Sequence, residues 1–218
     1  MLTVHQIVNY PVPSNCFVLY DKSIGRNCIV VDPGSKSDTV LLEFMASEHL
    51  VPQYIVLTHE HFDHCWGVNE LIEKFDIPII CSEQCVECIK YEKKNCSVFY
   101  DYKERFTIDS PTITIESLGF EIPFAEKNII FFNTPGHTDA SISFTINLNL
   151  FTGDTLLKDI KTVTKLPTGS LSKLKNTLQV YSSMQGQNYM VYPGHGDSFP
   201  LDGYEISKAV SASINPKA

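Results

Sequence analysis

Short apolar stretches rich in β-branched and aromatic residues recur along the chain and read as strands. They run from Cys16 to Tyr20, Cys28 to Val31, Tyr54 to Thr58, Pro78 to Cys81, Thr112 to Leu118, Ile129 to Asn133, Ser141 to Ile146 and Met190 to Tyr192. Between them the apolar spacing lengthens to a helical period. Asp38 to Glu48 gathers Val40, Leu41, Phe44 and Met45 on one side, and Gly67 to Phe75 gathers Val68, Leu71, Ile72 and Phe75. A third helix is expected over Ser82 to Lys94. A fourth starts after Ser170, whose hydroxyl suits an N-cap, and should bury Leu171, Leu174, Leu178 and Tyr181. Elements mixed in this way imply an α/β (α+β) arrangement of sheets packed together with helices outside, expected as one domain over 1–218.

The polar motifs fall where the apolar strands stop. Ile55-Val56-Leu57-Thr58 runs directly into His59-Glu60-His61-Phe62-Asp63-His64. Ile130-Phe131-Phe132-Asn133 runs into Thr134-Pro135-Gly136-His137, Leu150-Phe151-Thr152 into Gly153-Asp154, and Val191-Tyr192 into Pro193-Gly194-His195. A sheet fixes side chains at its strand ends, and the glycines let the backbone turn sharply enough to present them.

Composition narrows the chemistry. A formal charge of −8 argues against a nucleic-acid partner, because neutralising phosphates needs a basic face. No run of about 18 apolar residues offers a membrane span, and no basic-then-apolar leader opens the chain, so a cytoplasmic protein is expected. The seven cysteines are scattered, and Cys85-Val86-Glu87-Cys88 has no second pair at zinc-ribbon spacing; reduced thiols are the expectation. His5 and His49 read as solvated surface residues.

The clustered histidines point to metal. Neutral imidazole and carboxylate are natural ligands of zinc and similar divalent ions, and three of the seven histidines sit at 59, 61 and 64 with Asp63 between them. His59 and His61 are two apart on an extended turn and can aim together at one ion. The adjacent Asp63 and His64 would point differently, toward a second. His137, Asp154 and His195 are the remaining candidates.

The set His-x-His-x-Asp-His, Thr-Pro-Gly-His-Thr, Phe-Thr-Gly-Asp-Thr and Tyr-Pro-Gly-His-Gly-Asp resembles the metallo-β-lactamase superfamily in its glyoxalase II-like branch, from about Asn15 to Asp197. The resemblance implies an αββα sandwich of two mixed β-sheets flanked by helices. It assigns His59, His61 and His137 to a first metal and Asp63, His64 and His195 to a second, with Asp154 bridging. Asp32, in Val30-Val31-Asp32-Pro33-Gly34, would support the histidine loop. Two divalent ions follow, zinc first and iron or manganese as alternatives, sharing a hydroxide that attacks a small-molecule thioester; Asp63 and Asp154 are the catalytic carboxylates.

Departures separate the branches. Asp154 stands where common dizinc β-lactamases carry Cys, and His61 where flavodiiron proteins carry Glu. Cys65-Trp66 replaces the small residues usual after the histidine run, and Asp139-Ala140-Ser141 the usual Gly-Ser. Too little chain follows His195, with Tyr204, Lys208 and Lys217 in it, to build a C-terminal glutathione-binding domain; one short helix is expected. Lys158 to Lys165 reads either as a solvated loop or as part of the substrate entrance. The rival readings are a mononuclear iron persulfide dioxygenase using His59, His137 and Asp154, a lactonase or phosphodiesterase on the same scaffold, and a non-catalytic metal-binding protein. Oligomeric state is left open.

Overall fold

The strands assemble into two mixed sheets, each belonging to its own compact unit, Met1–Thr114 and Ile115–Ala218. The structure is a computed structural model that describes residues 1–101, 103–110, 112–115 and 119–211. In the first unit the order along the sheet is β1 (Thr3–Val8), β2 (Asn15–Tyr20), β3 (Asn27–Val31), β4 (Val51–Val56), β5 (Ile79–Ser82) and β6 (Thr112–Ile115). Neighbours β1, β2 and β3 pair antiparallel, whereas β3, β4 and β5 run parallel. Parallel neighbours need a crossover. Helix α1 (Thr39–Ser47) supplies one, and α2 (Phe62–Cys65) with α3 (Val68–Phe75) the next. All six residues of β2 are buried, as expected of a strand covered on both faces.

In the second unit the sheet order is β12 (Phe199–Pro200), β11 (Met190–Pro193), β10 (Asn149–Gly153), β9 (Ile142–Ile146), β8 (Lys127–Asn133) and β7 (Phe120–Phe124). Only β10 and β11 are parallel, and helix α6 (Leu171–Met184) crosses between them. The Ser170 hydroxyl accepts the Lys173 N–H at the start of α6, a cap worth about 1 kcal/mol. Leu174, Leu178 and Tyr181 pack into one apolar cluster with Phe132, Leu150 and Val191 of the sheet. The Tyr181 hydroxyl meets Ser143 Oγ at 2.6 Å, which satisfies a polar atom that would be costly to bury alone.

Several expectations need correction. The helix expected over Ser82 to Lys94 stops early: α4 is Glu83–Ile89, capped by Ser82. The Tyr91 N–H bonds the Cys88 carbonyl at 3.1 Å, a tighter turn than the α-helix, and the Ile89 carbonyl takes the Ile108 N–H at 3.0 Å. Val40 is 63% exposed and Leu171 46%, so Thr177 takes a buried place on α6 that Leu171 does not. Val40 lies beside the buried stripe that Leu41 and Met45 form on α1, and Leu171 is the first residue of α6, one turn before its buried positions begin at Leu174. His5 is not simply solvated: its ring stacks on Phe44 at 3.7 Å, and burial lowers its pKa. Strand β6 is described only to Ile115; positions 116–118 of the expected strand, and Lys217, lie outside the described residues. Strands β1, β7 and β12 and the short helices α2 and α5 (Ser97–Tyr100) were not anticipated as elements from the pattern, whereas α7 (Lys208–Ser211) is the short helix expected after His195. All seven cysteines are free, and no described helix is long and apolar enough to cross a membrane.

One buried acid shapes the first unit. Asp38 precedes α1 but does not cap it with its side chain, and its carboxyl has no hydrogen-bond partner among the described residues. It lies directly on Gly67, where a Cβ would come within 2.2 Å of Oδ1. Burial, followed by the nearby Glu70 charge, pushes its pKa up to about 8. The native chain therefore keeps a proton that the unfolded chain releases near 3.8. Stability from this group is complete below that value and is lost as pH rises through about 8. Thermal unfolding followed against pH should show the midpoint falling across this window, and Asp38→Asn should flatten the fall; an unchanged slope would remove Asp38 from the account.

Candidate metal centre

In the first unit the histidine loop follows the C-terminal end of β4. His61 is extended (φ −63°, ψ 143°), and the chain then winds into the single turn of α2, which carries Asp63 and His64. That change of backbone is why the two halves of the motif aim differently. The rings of His59 and His61 lie 4.8 Å apart, and those of His59 and His64 4.2 Å. His64 Nε2 stands 3.7 Å from Asp63 Oδ2.

Asp32 holds this loop, as the sequence suggests. Its backbone adopts φ 49°, and its carboxylate accepts the Thr58 N–H at 2.8 Å, the Thr58 hydroxyl at 2.6 Å and the His64 Nδ1–H at 3.0 Å. A carboxylate only accepts, so His64 must donate through Nδ1, which makes Nε2 its lone-pair nitrogen. Thr58 gives its proton to Asp32 and therefore accepts from His59 Nδ1 at 3.1 Å, setting the same tautomer there. One donor atom each of Asp32, His59 and His64 lies within 4.8 Å of the others, but the Asp32 oxygens are spent on these bonds.

The turn after Asp32 packs on the loop just as tightly. A Cβ on Gly34 would stand 1.6 Å from the Asp63 carbonyl oxygen, so only glycine fits. Ser14 Oγ donates to that same carbonyl, and Asn9 Nδ2 reaches both Ser14 Oγ (2.8 Å) and the Asp32 carbonyl (3.1 Å). The Cys65 thiol donates to the carbonyls of Glu60 and His61 at 3.4 and 3.3 Å; burial pushes its pKa well up, so it stays a protonated strut. Neither Asn9 nor Ser14 carries a sequence signal that would have marked it.

In the second unit, strand direction gathers the other candidates. β8 and β10 both run antiparallel to β9, and β11 runs parallel to β10, so all three end at one edge of the sheet. His137, Asp154 and His195 follow those ends. Asp154 Oδ2 lies 3.6 Å from His137 Nε2 and 3.5 Å from His195 Nε2. These gaps exceed a hydrogen bond. They approach the edge of about 3.3 Å expected between ligand atoms around a tetrahedral ion with bonds of about 2.0–2.1 Å. His137 Nδ1 donates to the Val163 carbonyl at 2.8 Å, which again leaves Nε2 as the lone-pair nitrogen. The donor set therefore fits zinc or iron.

Beside the histidine loop is an aromatic group that the sequence reading did not assemble. Phe62 contacts Trp66 and Tyr100 at 5.6 and 5.0 Å, and Trp66 stacks on Phe106 at 5.8 Å. The Phe62 N–H donates to the Asn95 carbonyl at 2.8 Å, tying the segment after α4 to the loop.

Comparison with known proteins follows from these features. Residues 9–195 match the family model described as the metallo-beta-lactamase superfamily. The probable metallo-hydrolase MJ0888 of Methanocaldococcus jannaschii is 28% identical over 193 residues, which is 86% of this chain and 90% of that protein. The BLEG-1 B3 metallo-beta-lactamase superposes with a TM-score of 0.82 at 24% identity, covering 91% of this chain and 94% of that one. TTHA1623 in a di-iron-bound form gives 0.76 at 24% identity, covering 91% and 95%. The fold is the metallo-β-lactamase fold, two mixed sheets flanked by helices.

Asp32 sets the tautomer of two candidate ligand histidines, one directly and one through Thr58. Asp32→Asn should weaken metal affinity by roughly 10- to 100-fold, and Thr58→Val by less. Competition with a chromophoric chelator measures both, with circular dichroism as the fold control. Wild-type affinity in Asp32→Asn would contradict this role.

Proposed function

Because the chain belongs to the metallo-β-lactamase superfamily, we propose that it is a metal-dependent hydrolase whose seven candidate ligands act as one dinuclear centre on a thioester. His59, His61 and His137 would hold one ion, Asp63, His64 and His195 the other, and Asp154 both. Zinc is the proposed resident metal, on the imidazole-rich donor set, with iron as the alternative.

The observation that carries this reading is Asp154. One oxygen of one carboxylate faces two imidazole Nε2 atoms at nearly equal distances, 3.5 and 3.6 Å. That arrangement suits a ligand shared between two ions, and the gaps are longer than an ion-paired hydrogen bond. The outer contacts add support. His59, His64 and His137 each have Nδ1 in a hydrogen bond, so the nitrogen offered for ligation is the same in all three.

When bound, two such ions would supply water that ionises near neutral pH and a Lewis acid for the carbonyl oxygen. The chain's own part is to orient. Asp63, on the first turn of α2, would accept a hydrogen bond from the attacking water and fix its direction. Thr58 and Asp32 keep the histidine loop from rotating as charge develops. A thiolate leaving group needs little protonation, so the site functions without a dedicated general acid. Among the departures, Asp154 in place of Cys supports thioester over lactam chemistry, and the thioester itself rests on the motif set.

Protein purified without chelators should carry close to two metal ions per chain by elemental analysis, and hydrolyse a member of a thioester panel faster than lactone or phosphodiester controls. Asp154→Ala should lose at least one ion and reduce the rate by more than the roughly 100-fold that loss of an outer partner costs. A single iron per chain would replace this reading with oxygen-dependent chemistry at His59, His137 and Asp154. Full metal loading without turnover on any substrate would make the protein a metal binder and not a hydrolase.

A further inference from the structure

The segment after Asp154 is ordered by the C-terminal tail. The Tyr204 hydroxyl accepts the Asp159 N–H at 2.8 Å and donates to the Leu157 carbonyl at 3.0 Å, gripping both sides of a tight turn closed by a Leu157–Ile160 bridge. Lys208 Nζ pairs with Asp159 Oδ1 at 2.6 Å. The Ala209 carbonyl then accepts the Thr162 N–H at 2.9 Å, and the buried Thr162 hydroxyl donates to the Thr155 carbonyl at 3.0 Å. The next residue is Val163, whose carbonyl accepts the His137 Nδ1–H at 2.8 Å.

We propose that the tail, through Tyr204 and Lys208, is a positioning device for His137: it holds the 157–163 segment so that the Val163 carbonyl fixes the ring's tautomer and aim. This rests on the reading of His137 as a metal ligand. The physical case is one of restraint. Val163 is 46% exposed, so little packing of its own keeps that carbonyl in place. Among the described residues, the shortest hydrogen bonds that tie the preceding turn to the rest of the fold end on Tyr204, Lys208, Ala209 and Thr155, with a longer Lys158 Nζ–Asp197 Oδ2 contact at 3.5 Å beside them. Tyr204 is itself anchored, with Gln185 Nε2 donating to its carbonyl at 2.8 Å and its ring 4.4 Å from Phe199. Burial raises the phenol pKa, so the hydroxyl remains a donor at neutral pH.

Tyr204→Phe, in the full chain, keeps the ring on Phe199 and removes only the hydroxyl. It should lower zinc affinity by roughly tenfold in chelator competition. In metal-free protein it should also shift the His137 imidazole ¹⁵N resonances away from the pure Nδ1–H tautomer. Lys208→Met should weaken zinc several-fold and Lys208→Arg should restore it; these surface variants carry the same readouts if Tyr204→Phe does not fold. A folded Tyr204→Phe protein with either readout at its wild-type value overturns the proposal. His137→Ala is the control. If it binds zinc as tightly as wild type, His137 is no ligand and both readings fall; if it loses zinc while Tyr204→Phe does not, only the positioning role falls.

Discussion

The buried carboxylate of Asp32 is the constraint on which the first unit's part of the site depends. It accepts from a backbone amide, a hydroxyl and an imidazole, all within 3.0 Å, in a place where water does not reach. A buried carboxylate this well satisfied is rigid, since any rotation breaks several charge-assisted bonds at once. Its left-handed backbone then turns the chain into Pro33-Gly34, and Gly34 packs on the Asp63 carbonyl. One residue thus fixes the entry to the histidine loop through Thr58, its exit through His64, and the contact beneath Asp63.

The second unit solves the same problem with strand direction. Three strands end at one sheet edge, and each continues into a Gly-containing turn that carries a ligand candidate. The Gly194 N–H donates to the Gly153 carbonyl at 2.8 Å, so the Asp154 and His195 turns are bonded to each other. The His137 turn is bonded instead to the start of α6, the Ser170 N–H donating to the Gly136 carbonyl at 2.9 Å, and the His137 ring meets the Val163 carbonyl of the following loop. The two units fix imidazoles by different partners, a carboxylate in one and a peptide carbonyl in the other, and reach the same Nδ1-donating tautomer.

Much of this was legible before any coordinates. Apolar runs stopping at Thr58, Asn133, Thr152 and Tyr192 marked strand ends, and histidine or aspartate after each marked the site. The start of α6 at Ser170 was legible because capping is a local interaction. The errors fall where local pattern competes with partners distant in sequence. α4 gives way to a tighter turn after Ile89, where the Ile89 carbonyl pairs with the N–H of Ile108, a residue distant in sequence that the run Lys90–Lys94 gives no sign of. His5 stacks on Phe44, nearly forty positions away, and so is less solvated than its polar neighbourhood suggested.

By itself, then, the sequence determined which residues can bind metal, the strand ends that present them and the family to which the chain belongs, because ligand type and apolar period are local properties. How the candidate ligands are held depends on tertiary contacts between residues far apart in the chain. Asn9 and Ser14 beneath Asp63, Asp38 against Gly67, and Tyr204 behind Val163 are ordinary polar residues in the sequence. They acquire their roles only when sheet pairing and chain reversal bring them within hydrogen-bond or van der Waals reach, and no spacing rule encodes that meeting.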